Sequence, residues 1–326
     1  MKRFVIPLSL ALLVGVLFSG TVSAKPFKVA LLLSGSIADQ GWNAAAYAAL
    51  QNLKKETGAE VAYTENLTPS DYEQVFRGYA SQGYDLMIGH AYAFGEPAMK
   101  VAKDFPKAWF VMTASNQFAA PNVASINNDN MQAGFLAGAA AATVTKTGVV
   151  GAIGAMEIPT CTQYNKGFEL GAKYVKPGVK VLVAYTGNFW DAAKAKETAF
   201  AMIGQGADVL THLADKAGLG VIEAAKEKKV MAIGNVGDQY SLAPETVVTS
   251  AVVNMNKAFL IITELAQKGK LKPQAYNMGA KESVVSLAPF RKFDSKLTAA
   301  QKAKLARIQE DLESGKINVW AMAEKK

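Results

Sequence analysis

Aromatic and polar side chains follow several predicted strands of this sequence, at the points where those strands end. Trp42 and Asn43 come after the apolar run of residues 29–33, just beyond a Ser-Gly-Ser turn. The carboxyl ends of parallel strands form the edge at which open α/β sheets bind ligands. The same pattern recurs later in the chain at Phe189, Trp190, Asp191, Asp215 and Asp238.

Aromatic side chains in both halves of the chain are suited to holding a flat ring. We expect Trp42 on one side, and Phe189 or its neighbour Trp190 on the other, to sandwich a planar ligand. A stacked pair contributes roughly 0.5–1.5 kcal/mol beyond its buried area. A nearby carboxylate or amide then reads ring N–H groups, because a buried unpaired donor costs roughly 1–3 kcal/mol. Taken singly, each of these residues is expected to be structural rather than functional: Asp191 as a helix cap and Trp190 as a residue that fills the interface between lobes.

Constellations for catalysis or metal binding are scarce. His90 and His212 each end an apolar strand, and neither has a second ligand at zinc-like spacing. Cys161 is the single cysteine, has no local base and is interpreted as a buried thiol. The glycine-rich stretch 148–154 lacks dinucleotide-binding spacing. We therefore expect no metal, no cofactor and no enzyme activity, although His90 remains a candidate ligand contact.

The elements that position these residues alternate between strand and helix. Strands are predicted over 28–34, 59–64, 85–89, 108–113, 123–126, 148–153, 179–184, 208–212, 229–233 and 246–252. Helices are predicted over 42–57, 70–82, 95–104, 131–145, 163–175, 190–204 and 217–227. The spacing over 28–126 resembles that over 148–252, which predicts two similar α/β lobes joined by a hinge. A helix over 296–313 and a short strand over 317–319 are expected to follow.

The N-terminal segment predicts export. Residues 1–24 have a basic start, an apolar stretch over 4–18 and a small-residue cleavage site ending at Ala24, which is the form of a signal peptide. The apolar stretch is short for a membrane span. No cysteine follows it, so no lipobox or lipid anchor is expected. We expect a free periplasmic protein that begins near Lys25.

Composition agrees with an exported binding protein. Removing Lys2 and Arg3 with the leader subtracts two charges from the formal +8 and leaves +6. The remaining basic residues are spread along the chain, which gives little reason to expect nucleic acid as a partner. A chain of 326 residues is long enough for two lobes with separate cores. A monomer is expected.

Several segments together resemble the basic membrane protein (BMP) family of ABC-transporter substrate-binding proteins, which includes purine-nucleoside-binding members. The matching segments are GSIADQGWN (35–43), MQAGFLAG (131–138), YNKGFELGAK (164–173), NFWDAAKAKE (188–197), GLGVIEAAK (218–226) and GDQ (237–239). The resemblance implies a type I periplasmic-binding-protein fold with two Rossmann-like lobes and three crossovers. The expected lobes are 25–127 plus about 253–285, and 128–252 plus about 286–326. It also implies closure on a ligand and delivery to an inner-membrane permease.

Carried over by position, the resemblance implies that Trp42 and Phe189 are the two stacking aromatics, with Trp190 as a neighbour able to substitute. It also implies polar contacts from Asp39, Asn43 and Asp215. Asp39 and Asn43 match the first loop, whereas Asp215 lies in the loop that faces the ring edge in nucleobase-binding relatives.

Departures from the family pattern narrow the expected ligand. Val236 and Val253 stand where nucleoside-binding members carry an acid and a lysine that contact the sugar, and Gln132 stands at a glutamate position. Ribose hydroxyls against valines would lack partners, so we expect a purine-like nucleobase such as adenine or guanine. The side chains expected to read its edge are Asp215, Asn43, and His90 or Asp238. A purine nucleoside, a flavin-type ring, a nucleoside-hydrolysing enzyme and a partner of a sensory receptor remain alternatives.

Overall fold

The computed structural model describes residues 25–39 and 41–324, so the predicted signal peptide lies outside the described residues. The strands are β1 (Lys28–Leu32), β2 (Glu60–Thr64), β3 (Leu86–Gly89), β4 (Trp109–Thr113), β5 (Val123–Asn128), β6 (Val149–Gly154), β7 (Lys180–Tyr185), β8 (Val209–Leu213), β9 (Met231–Val236), β10 (Val247–Val253), β11 (Ala275–Met278) and β12 (Val285–Leu287). The helices are α1 (Trp42–Thr57), α2 (Tyr72–Ser81), α3 (Gly95–Ala102), α4 (Asn130–Val144), α5 (Pro159–Val175), α6 (Ala192–Gly204), α7 (Gly218–Glu227), α8 (Met255–Gln267), α9 (Ala299–Glu313) and α10 (Val319–Glu324).

The strands form two six-stranded sheets. The first has the order β11-β5-β4-β3-β1-β2 and the second the order β12-β10-β9-β8-β6-β7. Every pairing is parallel except that of β10 with β12. The described chain passes between the sheets after β5, after β10 and after β11. The expected architecture of two α/β sheets with helices, as in type I solute-binding proteins, is confirmed.

Strand β1 shows why the sheets are built from continuous apolar runs. Val29 and Leu31 belong to the buried cluster that also contains Leu50 of α1. Ala30 and Leu32 belong to the cluster on the opposite face, formed with α2 and α3. Because successive side chains of a strand point to opposite faces, a strand covered on both sides must be apolar at every position.

Helices α4 and α5 pack backbone against backbone in the second half of the fold. A Cβ atom on Gly138 of α4 would lie 2.0 Å from the carbonyl oxygen of Phe168, and one on Gly171 of α5 would lie 1.9 Å from that of Phe135. Real Cβ atoms do not approach this closely, so glycine is required on both helices. The pair forms a rigid support directly after the first passage between the sheets.

The C-terminal prediction was partly wrong. The expected strand over 317–319 is instead the approach to helix α10, which begins at Val319. Asn318 starts this helix because its carbonyl accepts from Met322 N–H and its side-chain oxygen accepts from Ala321 N–H. Strands β11 and β12 were not predicted. None of the helices in the described part of the chain is both long and apolar enough to cross a membrane.

Candidate functional site

A cavity of about 380 Å³ lies where the carboxyl ends of strands from both sheets meet. Its lining residues are Trp42, Ala91, Tyr92, Ala93, Ala114, Asn128, Asn130, Ile158, Thr160, Phe189, Leu213, Asp215, Val236 and Val253. Trp42 and Phe189 therefore lie on one cavity, Trp42 from the side of the first sheet and Phe189 from the side of the second. Trp190, the other candidate, is 69% exposed and does not belong to this lining.

The Trp42 ring is held by His90, which follows β3. The two rings stack with centroids 4.1 Å apart and planes 18° from parallel. Trp42 Nε1–H donates to the His90 carbonyl at 3.3 Å, and His90 Nε2 lies 3.1 Å from the Trp42 carbonyl. Thr113 Oγ1 lies 2.8 Å from His90 Nδ1. Since a carbonyl only accepts, Nε2 carries the proton and Nδ1 accepts from the threonine.

His90 therefore does not occupy the place expected for a ligand contact. It is fully buried, and both ring nitrogens have protein partners. Burial lowers the pKa of His90 to about 3, against smaller opposing effects of the Trp42 carbonyl and the Asp39 charge. The neutral ring acts as a fixed backing for Trp42. Sequence reasoning placed His90 correctly at a strand end but did not show which groups would enclose it.

Asp39 and Asn43 organise the loop that precedes α1. The Asp39 carboxylate accepts from the backbone N–H groups of Gly41, Asn43 and Ala44 at 2.9 Å, and from Asn43 Nδ2 at 2.8 Å. Burial disfavours the charged carboxylate, but the hydrogen bonds outweigh it and lower the pKa of Asp39. Asn43 is 9% exposed and is not in the cavity lining. The expectation that Asn43 reads a ligand edge is not supported by this placement.

Asp215 lies in the turn after β8 and lines the cavity, as the sequence predicts for the loop facing a ligand. Solvent reaches its side chain, yet the cleft walls crowd the carboxylate. This desolvation, with a smaller contribution from the negative charge of Asp39, raises the pKa of Asp215 to about 6. The same turn holds the opposing aromatic, because Ala217 N–H donates to the Phe189 carbonyl at 2.9 Å.

Asp238 and Asp191 are engaged elsewhere. Both Asp238 carboxylate oxygens accept from the Arg291 guanidinium, which lowers the pKa of Asp238. Asp238 lines an adjoining cavity of about 370 Å³, together with Asp39 and Asp215. Asp191 accepts from Lys194 N–H at 2.9 Å and caps α6, so its structural interpretation is confirmed. Neither aspartate lines the cavity that contains Trp42 and Phe189.

Three of the seven described non-glycine residues with positive φ line this cavity. Ala114, Asp215 and Val236 follow or end β4, β8 and β9 and have φ values of 49°, 43° and 65°. Left-handed conformations of non-glycine residues cost of order 1–3 kcal/mol and cluster at functional sites. For the β-branched Val236 this conformation is a genuine outlier. These three residues lie at the same edge of the sheets as Trp42 and Phe189.

The sequence missed several lining residues, notably Tyr92, Asn128, Asn130 and Thr160. The strand predicted over 123–126 extends to Asn128, so Asn128 at its end and Asn130 two residues later were not assigned to the site. Their position after an apolar run was a signal of the same kind as the one used for Trp42. Tyr92 follows β3 and is 57% exposed.

Val236 and Val253, the two apolar departures from the family pattern, both line the cavity. In the described ranges 25–39 and 41–324, no group of three or more His, Cys, Asp or Glu side chains could hold a metal ion. Cys161 is fully buried, and burial raises the pKa of its thiol.

Comparison with known families gives a match over residues 27–318, to the family Bmp, described as ABC transporter substrate-binding protein PnrA-like. A curated relative from Lactococcus lactis, the ABC transporter nucleoside-binding protein BmpA, is 37% identical over 199 residues. That match covers 59% of this chain and 56% of the relative, so it spans little more than half of the relative's length. A purine-binding protein from Brucella abortus is 28% identical over 313 residues, covering 95% of this chain and 87% of that protein.

Solved structures share the architecture. A transcriptional activator of the comK gene from Bacillus halodurans superposes with a TM-score of 0.80 at 26% identity, covering 88% of this chain and 98% of that one. An ABC transporter solute-binding protein from Conexibacter woesei superposes with a TM-score of 0.76 at 27% identity, covering 90% of this chain and 98% of that one. Proteins with this fold thus carry both transport and regulatory descriptions.

Proposed function

Because the chain belongs to the Bmp family of ABC transporter substrate-binding proteins, we propose that it is the solute-binding component of an importer for a purine-like ring. The observation that carries this proposal is the position of Trp42 and Phe189 on one cavity between the two sheets. A planar ring between them gains stacking and burial from both sides. The printed descriptions of two relatives, nucleoside-binding and purine-binding, support a ligand of this class.

A free nucleobase such as adenine or guanine is the proposed ligand, in preference to a nucleoside. Val236 and Val253 contribute apolar wall to the cavity. Ribose hydroxyls placed against them would lose water without gaining partners, at roughly 1–3 kcal/mol for each buried unpaired group. Asp215 lies on the same lining and is the proposed acceptor for ring N–H groups.

The proposed cycle is binding, closure and delivery, without chemistry on the ligand. Each sheet with its helices forms one lobe, with boundaries near residues 128, 253 and 285, and the three chain passages serve as the hinge. A ligand that contacts both lobes stabilises the closed form, because it binds that form better than the open one. The proposed partner is an inner-membrane permease, and the proposed location of the monomeric, processed protein is the periplasm.

Mass spectrometry of the bound small molecule tests the proposal. The protein is purified from its native compartment, denatured and filtered, and the filtrate is compared with that of a Trp42→Ala variant purified in parallel. A purine base in the wild-type filtrate, depleted in the variant, is the expected result. A flavin or an intact nucleoside would replace the nucleobase assignment, and a non-planar solute such as a sugar would overturn the proposal as a whole.

An adenosine turnover assay distinguishes a binding protein from a nucleoside-hydrolysing enzyme. Adenosine incubated with the protein should be recovered unchanged, since hydrolysis requires an acid–base pair aimed at the glycosidic bond. Release of adenine at a rate proportional to protein concentration would show a nucleosidase instead.

A further inference from the structure

Asn128 is the buried polar side chain of the cavity that lacks a partner. It is 4% exposed, lies at the end of β5 and belongs to the cavity lining. Its side-chain oxygen Oδ1 is buried without a hydrogen-bond partner among the described residues. A buried acceptor left in this state costs roughly 1–3 kcal/mol, so a ligand donor that reaches it is favoured.

The backbone around Asn128 is fixed before any ligand binds. The residue pairs with Met278 in the β5–β11 register, and the N–H of Asp129 donates to the Met278 carbonyl at 2.9 Å. Asn130 Nδ2 donates to the Asn128 carbonyl at 3.2 Å. The first bond holds the neighbouring residue, and the second uses the main-chain carbonyl of Asn128, so neither uses its carboxamide.

The hydrogen-bond donors and acceptors of the lining determine which edge of a purine ring can bind. A carboxamide offers one acceptor beside one donor, and rotation by 180° exchanges them without changing that complement. Asparagine pairs in this way with the amino group and adjacent ring nitrogen of adenine, and equally with the N1–H and O6 of guanine; only the O6 and N7 edge of guanine calls for a lysine or arginine. No lysine or arginine is among the described residues that line this cavity.

We propose that Asn128 is a specificity-determining residue that pairs with a donor and an adjacent acceptor on the ring edge, such as the amino group and ring nitrogen of adenine, so that the site prefers such a purine to unsubstituted purine. The inference rests on the proposed function, because it concerns the same cavity. Trp42 and Phe189 supply affinity for any flat ring, whereas Asn128 discriminates between rings of the same shape.

Calorimetric titration with adenine and with unsubstituted purine, which lacks only the amino group, tests the proposal. The wild-type protein should bind adenine about tenfold more tightly than purine, as expected when the buried acceptor of Asn128 is left without a donor. In Asn128→Ala this ratio should fall towards one, mainly through weaker adenine binding. Asn128→Asp keeps an acceptor for the amino group but loses the amide donor to the ring nitrogen, so it should retain the preference for adenine over purine that Asn128→Ala loses.

The matched control is Asn127→Ala, one residue earlier on β5, where the side chain bonds to Asn277 and is absent from the cavity lining. This variant should keep the wild-type ratio, and thermal unfolding of each variant establishes that it is folded. Equal wild-type affinity for adenine and purine, or an unchanged ratio in folded Asn128→Ala, would overturn the role of Asn128 alone. Failure of the wild-type protein to bind either ring would overturn the proposed function as well.

Discussion

Trp42 lines the cavity, and its ring is supported from behind by a buried histidine. One face of its ring stacks on His90, which is itself fixed by Thr113 and by the Trp42 main chain. A ring held on one face by fixed neighbours loses little further side-chain entropy when a ligand stacks on it. His90, which the sequence offered as a candidate ligand contact, therefore lies behind Trp42 and not on the cavity lining.

Trp42→Ala should weaken ligand binding by at least about tenfold, equivalent to about 1.4 kcal/mol, because it removes both stacking and buried area. Trp190→Ala is the matched control, since that ring is 69% exposed and lies outside the cavity lining. Titration of the same ring into both variants measures the difference. Unchanged affinity in Trp42→Ala, or an equal loss in Trp190→Ala, would show that Trp42 only packs.

Two buried histidines should make the fold sensitive to acid. Burial lowers the pKa of His90 to about 3 and that of His212 to about 4, the latter against a hydrogen bond to Gln239. The unfolded chain binds protons near pH 6.5 but the folded chain does not. Their contribution to stability is therefore complete above pH 6.5 and is lost as the pH falls towards 4, by about 1.4 kcal/mol per pH unit for each histidine.

Asp215 changes stability in the opposite direction. Its raised pKa of about 6 makes the folded state bind more protons than the unfolded state between pH 6 and 3.8, so its contribution to stability rises as the pH falls. Its side chain is reached by solvent, so we expect the two buried histidines to dominate. Urea unfolding of the wild-type protein at pH 7.5, 5.5 and 4.5 should show falling stability. His212→Gln should show a shallower decline, and an identical decline in both proteins would refute the assignment to His212.

At the scale of elements, the α4–α5 contact is the most demanding piece of packing. Gly138→Ala places a methyl group against the Phe168 carbonyl, 2.0 Å from the ideal Cβ position, so the helices must separate. We expect a loss of at least about 1–3 kcal/mol, as for overpacked cores. Gly78→Ala on α2 is the control, because its Cβ would meet no atom within 4 Å.

The control should raise stability by roughly 0.5–1 kcal/mol through helix propensity. Thermal or urea unfolding of both variants gives the comparison. Equal stability of Gly138→Ala and Gly78→Ala would mean that the two helices are not in backbone contact.

The sequence predicted the central elements because their burial leaves a strong pattern. Strand β1 is apolar and buried over residues 29–32. Gly58, Gly83 and Gly206 each end a helix before the next strand, with φ values of 69°, 74° and 95°. Strands β11 and β12 gave no such signal. They have four and three residues, and most of these are only partly buried. The segment at 317–319 looked like a strand because alternation over three residues does not distinguish a strand from a helix start.

At the scale of the whole molecule, the sequence predicted the edge where a site forms but not the roles of individual residues on it. Topology brings strand ends from both sheets to one cavity, and this follows from strand order. Which polar side chains face inward depends on hydrogen bonds that the sequence does not display. Asp238 is bound by Arg291 and His90 by Thr113. Asn43 is bound to Asp39 through Nδ2, and Oδ1 of both Asn43 and Asn128 has no partner among the described residues, but only Asn128 lines the cavity.

Calorimetric titration of ligand-free protein with adenine and with adenosine tests the central claim most directly. Both ligands present the same ring to Trp42 and Phe189, and only adenosine brings a sugar to the apolar wall formed by Val236 and Val253. The account predicts one adenine site per chain and adenosine binding weaker by at least about tenfold, as expected for buried unpaired hydroxyls. Tight binding of adenosine without binding of adenine would contradict it.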